Sequence, residues 1–132
     1  MRIEPDQAQV AEVLARAGAD GDGPVVMLNL NRYKPGARDA YHRYGAVAAS
    51  ILARVGGAIL WASTDSETVV GDVGENYDEV IAVWYPNWAA FRDLMTDPEL
   101  LAAAQAHRAG ALAKATVIAV PAHGQAPLTP AA

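Results

Sequence analysis

The ten residues Pro24-Val25-Val26-Met27-Leu28-Asn29-Leu30-Asn31-Arg32-Tyr33 constrain the fold of this chain more than any other stretch. The run is short and mainly apolar. Turn formers bound it, with Gly21-Asp22-Gly23 before and Lys34-Pro35-Gly36 after. Such a run reads as a strand buried on both faces. Side chains alternate along a strand, so Val26, Leu28 and Leu30 share one face. Val25, Met27, Asn29, Asn31 and Tyr33 share the other. The first face is wholly aliphatic and suits packing against helices. The second is apolar at one end and polar at the other, as the wall of a cavity is.

The rest of the chain alternates with this strand. Asp6 followed by Gln9 has the form of a capping box, and Val10, Val13, Leu14 and Ala17 recur at helical spacing, which predicts a helix over 6–17. Residues 18–23 alternate Asp, Ala and Gly as a link. From 38 to 55 the period is again helical, with Tyr41, Tyr44, Ala48, Ile51, Leu52 and Val55 on one stripe, and Gly56-Gly57 ends it. A strand is expected over 58–64, placing Ile59 and Trp61 on one face, with a short return or bent extension at 68–71. A further strand is expected over 78–85. Asn87 caps a helix carrying Trp88, Phe91 and Leu94. Asp97-Pro98 opens another helix, over 98–111, and 114–120 is the last strand.

The order strand, helix, strand, strand, helix, strand is the split βαβ pattern. The predicted fold class is α+β: a ferredoxin-like sandwich (βαββαβ) with an extra N-terminal helix. Residues 1–23 form the helix and linker, 24–121 the core domain, and 122–132 a flexible tail. Right-handed crossovers place both core helices on one sheet face. The other face, expected to carry Met27, Trp61 or Trp84, is left uncovered, and monomers seldom expose so large an apolar patch. A homodimer packed sheet against sheet covers it; the N-terminal helix is the alternative cover.

A chain of 132 residues is one domain, and 52% hydrophobic against 19% charged residues marks it as globular. A net charge of −5 argues against nucleic acid as partner. The absence of cysteine removes disulfides, thiolate metal sites and cysteine nucleophiles. No His pair has metal-ligand spacing and no glycine loop follows a strand, so neither a metal nor another cofactor is expected. No stretch has the length of a signal peptide or membrane span, so the cytoplasm is the expected location and no membrane partner is foreseen.

Several residue types nonetheless carry chemistry. His107 and Arg108 stand near a helix C-terminus, where the dipole favours a cation. They also fall seven residues after Leu100 and Leu101, which can turn one of them inward, and His suits proton transfer near neutral pH. Asn29 and Asn31, if buried, need hydrogen-bond partners and can orient a carbonyl or stabilise an enolate. Tyr41 and Tyr44, one turn apart, suit a pocket mouth or an ordinary core. Trp61 and Trp84 can stack on a planar ligand or fill a dimer core. Asp78 reads as a turn residue or a base. His42 lies beside the stripe, and His123 falls in the tail.

The set Val25–Leu30, Tyr41, Tyr44 with Gly45, Gly56-Gly57, Ile81–Trp88 with Tyr85-Pro86, Phe91, Asp97-Pro98-Glu99 and Arg108-Ala109 resembles the DUF1330 family, over roughly residues 3–121. Leu100 departs from it, standing where many relatives carry an aromatic residue. The family is similar to the dimeric α+β barrel superfamily. The resemblance implies a homodimer whose sheets form a barrel, with a pocket in each half between sheet and helices. The superfamily includes cofactor-free monooxygenases, lactone isomerases, polyketide cyclases, haem-dependent enzymes and sensing domains. The resulting expectation is a cofactor-free enzyme acting on a small apolar or aromatic molecule by proton abstraction, with His107, Asn29 and Tyr41 catalytic and Arg108, Tyr44, Asn31, Trp61 and Trp84 binding ligand. The alternative is a non-catalytic binding or assembly module.

Overall fold

The computed structural model describes residues 3–19, 23–122 and Pro130. The elements are α1 (Gln7–Ala17), β1 (Val25–Tyr33), α2 (Arg38–Arg54), β2 (Ala58–Ala62), β3 (Glu79–Tyr85), α3 (Trp88–Met95), α4 (Pro98–Ala103), a wide π turn (Ala104–Arg108) and β4 (Leu112–Pro121). The four strands form one antiparallel sheet in the order β2-β3-β1-β4. This is the predicted ferredoxin-like arrangement, with β1 central as its apolar run requires. The expected tail, beyond Ala122 and Pro130, lies outside the described residues, as do His123 and residues 20–22 of the link. Ala122 is itself buried, and its N–H donates to the Pro24 carbonyl at 2.9 Å.

The helix starts follow their capping residues. Asp6 and Gln9 exchange backbone-to-side-chain hydrogen bonds of 2.8 and 3.0 Å at the head of α1. Asn87 Oδ1 accepts from the Ala90 N–H at 2.8 Å, and Asp97 Oδ1 from the Glu99 N–H at 2.8 Å. Gly56 takes a φ of +81° after α2, a conformation that favours glycine. A methyl group on Gly57 would overlap Leu52 and crowd the Trp84 carbonyl, so this turn tolerates no side chain.

Three expectations are corrected. The helix-facing side of β1 is the one carrying Val25, Met27 and Asn29, not Leu28 and Leu30. Val25 and Met27 pack with Ile51, Leu52, Tyr85, Trp88 and Leu94, while Val26 packs with Leu28, Leu60, Ala82 and Trp84 on the opposite face. Alternation defines two faces of a strand, but only the crossovers decide which one the helices cover. Second, β2 ends at Ala62 and residues 68–71 form no strand. Val69, Val70 and Val73 are exposed there, and the loop is braced instead by side chains: Ser66 Oγ donates to the Tyr77 carbonyl, Thr68 Oγ1 to that of Glu75, and Lys114 Nζ to that of Gly74 at 2.6 Å. Third, the helix expected over 98–111 is α-helical only to Ala103. It then widens, with the Ala109 N–H donating to the Ala104 carbonyl five residues back at 2.9 Å; such wide turns often occur where a side chain is re-aimed.

Candidate functional site

A cavity of about 930 Å³ lies between the helices and the sheet. β1 contributes Met27 and Asn29, β2 Ile59, and β3 Ile81, Val83 and Tyr85. α2 contributes Tyr41, Tyr44, Ala48 and Leu52, and α3 contributes Trp88, Phe91 and Leu94. Leu100, Ala104 and Arg108 close the side formed by α4 and the π turn, and Ile3, Glu4 and Pro5 with α1 cover another. The lining is mainly apolar. Its polar members differ in how far they are already engaged. Gln9 is bound in the capping box, and Thr96 Oγ1 donates to the Arg92 carbonyl at 2.8 Å. Asn29 Nδ2 donates only to the Met27 carbonyl on its own strand, at 3.3 Å. Among the described residues, neither Tyr41 nor Tyr44 donates its hydroxyl to a carbonyl or carboxylate.

Asn29, Tyr41, Tyr44 and Arg108 therefore line one cavity, and the reversed face of β1 brings Asn29 there without a bulge. The Tyr41 and Tyr44 rings are 5.5 Å apart, and the Arg108 guanidinium lies 5.8 Å from the Tyr44 ring. Burial pushes the Tyr44 hydroxyl up to about 12, against the opposing pull of the nearby Arg108 charge. Burial likewise raises Tyr41, again opposed first by Arg108. Both are neutral hydrogen-bond donors at physiological pH.

Other predicted site residues stand elsewhere. His107, on the π turn, does not line the cavity; its neighbour Arg108 does. Asn31 is only 2% exposed, on the helix-facing side beyond the cavity wall, and its Nδ2 has no hydrogen-bond partner. Trp61 and Trp84 lie on the outer sheet face. A bulge between Ile59 and Trp61 separates these two residues, so that Ile59 enters the cavity while Trp61 stands opposite Ala82. Asp78 acts in the turn, its Oδ2 accepting from the Tyr33 N–H at 2.8 Å.

Sequence reasoning missed a second polar centre. Glu79, only 6% exposed, accepts from the Tyr33 hydroxyl at 2.7 Å and from Arg38 Nη1 at 3.2 Å, and His42 Nε2 lies 3.5 Å away. The Arg38 guanidinium also sits 4.9 Å from the Tyr33 ring centre. A signal was present: Glu79 shares a strand face with Ile81, Val83 and Tyr85, and Arg38 and His42 are spaced i, i+4. A carboxylate in such a strand needs donors. Among the described residues, no three His, Asp or Glu side chains gather as a metal site, and no helix is long and apolar enough to cross a membrane.

A four-stranded antiparallel sheet backed by helices, with a cavity between the layers, defines a ferredoxin-like α+β protein. The chain belongs to the DUF1330 family, a domain of unknown function, whose model matches residues 30–122. A protein of unknown function from Rhodopseudomonas palustris is 30% identical, with a TM-score of 0.79 over 91% of this chain and 95% of that one. Three more distant solved structures share the fold alone. A hydroxynitrile lyase from Passiflora edulis is 17% identical (TM-score 0.59; 81% of this chain, 100% of that one). A cofactor-independent oxygenase from Streptomyces nogalater is 22% identical (TM-score 0.53; 80% and 98%). A dimeric ferredoxin-like protein of unknown function from Thermobifida fusca is 15% identical (TM-score 0.51; 80% and 97%). No curated protein matches the chain.

Proposed function

We propose that this chain binds a small, mainly apolar or aromatic molecule bearing a carbonyl or enol oxygen, and promotes its deprotonation without a cofactor. One observation carries the reading: a cavity of about 930 Å³ with an apolar lining, in which Tyr41, Tyr44 and Asn29 present donors beside the Arg108 charge. Pockets of this size and character suit small ligands. Preorganised donors in an apolar setting stabilise a developing oxyanion. The favoured step is loss of the proton next to a carbonyl to solvent, with the charge on oxygen held by the tyrosine hydroxyls. His107, expected as base, has no place in the described lining, so oxyanion stabilisation rather than a histidine base is the centre of the proposal. Relatives of the same fold include a cofactor-independent oxygenase and a hydroxynitrile lyase, in keeping with small-molecule chemistry on this architecture.

2-Tetralone in deuterated buffer tests the reading. Saturable binding with accelerated exchange of its α-hydrogens is expected by NMR, and both should vanish in Ala48→Trp, which fills the cavity. Binding without faster exchange would support the non-catalytic module instead; absence of binding by this and related ketones would overturn both. The outer sheet face, where Trp61 and Ile118 are exposed, supports a homodimer through sheet faces, burying at least about 1,200 Å². Light scattering at micromolar concentration should give twice the chain mass, and a monomer would remove the proposal.

A further inference from the structure

Arg108 is the one cation among the described cavity-lining residues, and its side chain is only 13% exposed. Its Nη1 donates to the Glu4 carboxylate at 2.5 Å and to the Ile3 carbonyl at 2.9 Å. The two sides of this contact differ. Arg108 is held from the main body, where its carbonyl accepts from the Ala111 N–H at 3.0 Å and its guanidinium lies over Tyr44. Glu4 belongs to a segment preceding α1, a helix with no fully buried residue, and the neighbouring Ile3 is only partly buried against the Tyr33–Tyr41 cluster. Its side chain is 53% exposed.

A largely buried guanidinium is costly without an anion beside it. Glu4 supplies that anion from the chain, in the wall of a cavity whose remaining surface suits an apolar molecule. The guanidinium presents its donors as a planar fork matched to a carboxylate. We infer that the cavity's ligand is an apolar molecule ending in a carboxylate, which replaces Glu4 on Arg108 and frees the strap formed by Ile3, Glu4 and Pro5. A single cation matches a singly charged carboxylate better than a phosphate dianion. Because strap and ligand compete for one charge, opening and binding are thermodynamically linked, and weakening the strap must strengthen the ligand. This inference rests on the ligand-binding role proposed above and adds the charge of the ligand and the group it displaces.

The test compares octanoate with octan-1-ol, and 2-naphthoate with 2-naphthylmethanol, by titration calorimetry on the whole chain. Each acid is expected to bind at least about tenfold more tightly than its alcohol, the scale of one charge-assisted hydrogen bond. Glu4→Gln should raise the acid-to-alcohol affinity ratio about tenfold further, and Arg108→Met should bring it to about one. Hydrogen exchange in residues 3–10 should quicken on acid binding and stay unchanged with the alcohol. Equal affinity for acid and alcohol, with Glu4→Gln without effect, would overturn the inference while leaving apolar binding intact. Failure of all four molecules to bind, with 2-tetralone also failing, would remove the binding role and this inference together. Should Arg108→Met not fold, Glu4→Gln and the exchange measurement decide.

Discussion

Two buried charges flank a single row of tyrosines, and they are treated in opposite ways. At one end Glu79 accepts a hydrogen bond from Tyr33, and Arg38 and His42 close over it. At the other end Arg108 lies over Tyr44 and, among the described residues, is balanced by Glu4 alone. Tyr41 stands between, its ring 5.2 Å from Tyr33 and 5.5 Å from Tyr44. The Glu79 centre draws its partners from β1 and α2; the carboxylate is buried, and Arg38 and His42 cover it while partly exposed themselves. It ties the first strand of the sheet to the start of α2, whose N-cap residue Ala37 provides no side-chain cap. The Arg108 centre instead opens on a cavity, with its counter-charge on a peripheral segment. The Glu79 carboxylate has three donors from two core elements, as a structural charge requires, whereas the Arg108 guanidinium lies beside an apolar cavity, which is the basis of the ligand-binding role proposed above.

Mutation of the two ends should separate these roles. Glu79→Ala is expected to have the largest effect, about 2 kcal/mol of lost stability by urea denaturation. That lies below the value for a fully buried pair, because Arg38 and His42 are partly exposed and rehydrate. Its affinity for cavity ligands should change by less than about threefold, since Glu79 reaches the cavity only indirectly, through Tyr33 and Tyr41. A stability loss under about 0.5 kcal/mol would show that the Glu79 cluster contributes little.

Alkaline pH probes the whole row. Burial raises Tyr33, Tyr41, Tyr44 and Tyr85 above the ordinary phenol value, Tyr44 to about 12. At Tyr33 the hydrogen bond to Glu79 and its charge add to the shift. From about pH 9 to 12 the folded chain holds protons that the unfolded chain loses, so stability must fall as pH rises through that window, and below about pH 9 these groups add no pH dependence. The tyrosinate absorbance at pH 11 should accordingly be well below that of the urea-unfolded chain; equal absorbance would contradict the burial argument.

Tyr41→Phe should divide the other way from Glu79→Ala. A loss of about fivefold in 2-tetralone affinity is expected, the scale of one neutral hydrogen bond, with stability changed by less than about 1 kcal/mol. The reverse pattern would make Tyr41 part of the architectural end. The smallest effect is expected at Asn31, a neutral amide beside the Tyr33 and Tyr41 hydroxyls: Asn31→Leu should change the unfolding free energy in urea by less than about 1.5 kcal/mol, the scale of one neutral hydrogen bond.

Much of the architecture was legible because it depends on neighbours along the chain. The capping residues Asp6, Asn87 and Asp97 act within three positions, and the central strand announces itself by a run apolar on both faces. The shortened β2 and the wide turn at Ala104–Arg108 were not legible. Strand ends depend on a partner, and among the described residues none pairs with Val69 or Val70. The aiming of Arg108 rather than His107 toward the cavity is likewise set by packing around that turn.

The sequence by itself determined the order of elements, their approximate bounds and the pool of polar residues that a cavity could use, since propensity, capping and periodicity are local. Only the tertiary structure decided which face of β1 the helices cover, that Asn29 meets Tyr41, Tyr44 and Arg108 while Trp61 and Trp84 turn away, and that Glu79 finds Tyr33, Arg38 and His42. The physical reason is that two-residue alternation is symmetric between faces. The crossover of helices over the sheet breaks that symmetry, and a buried charge finds its partners from whichever elements are thereby brought within reach.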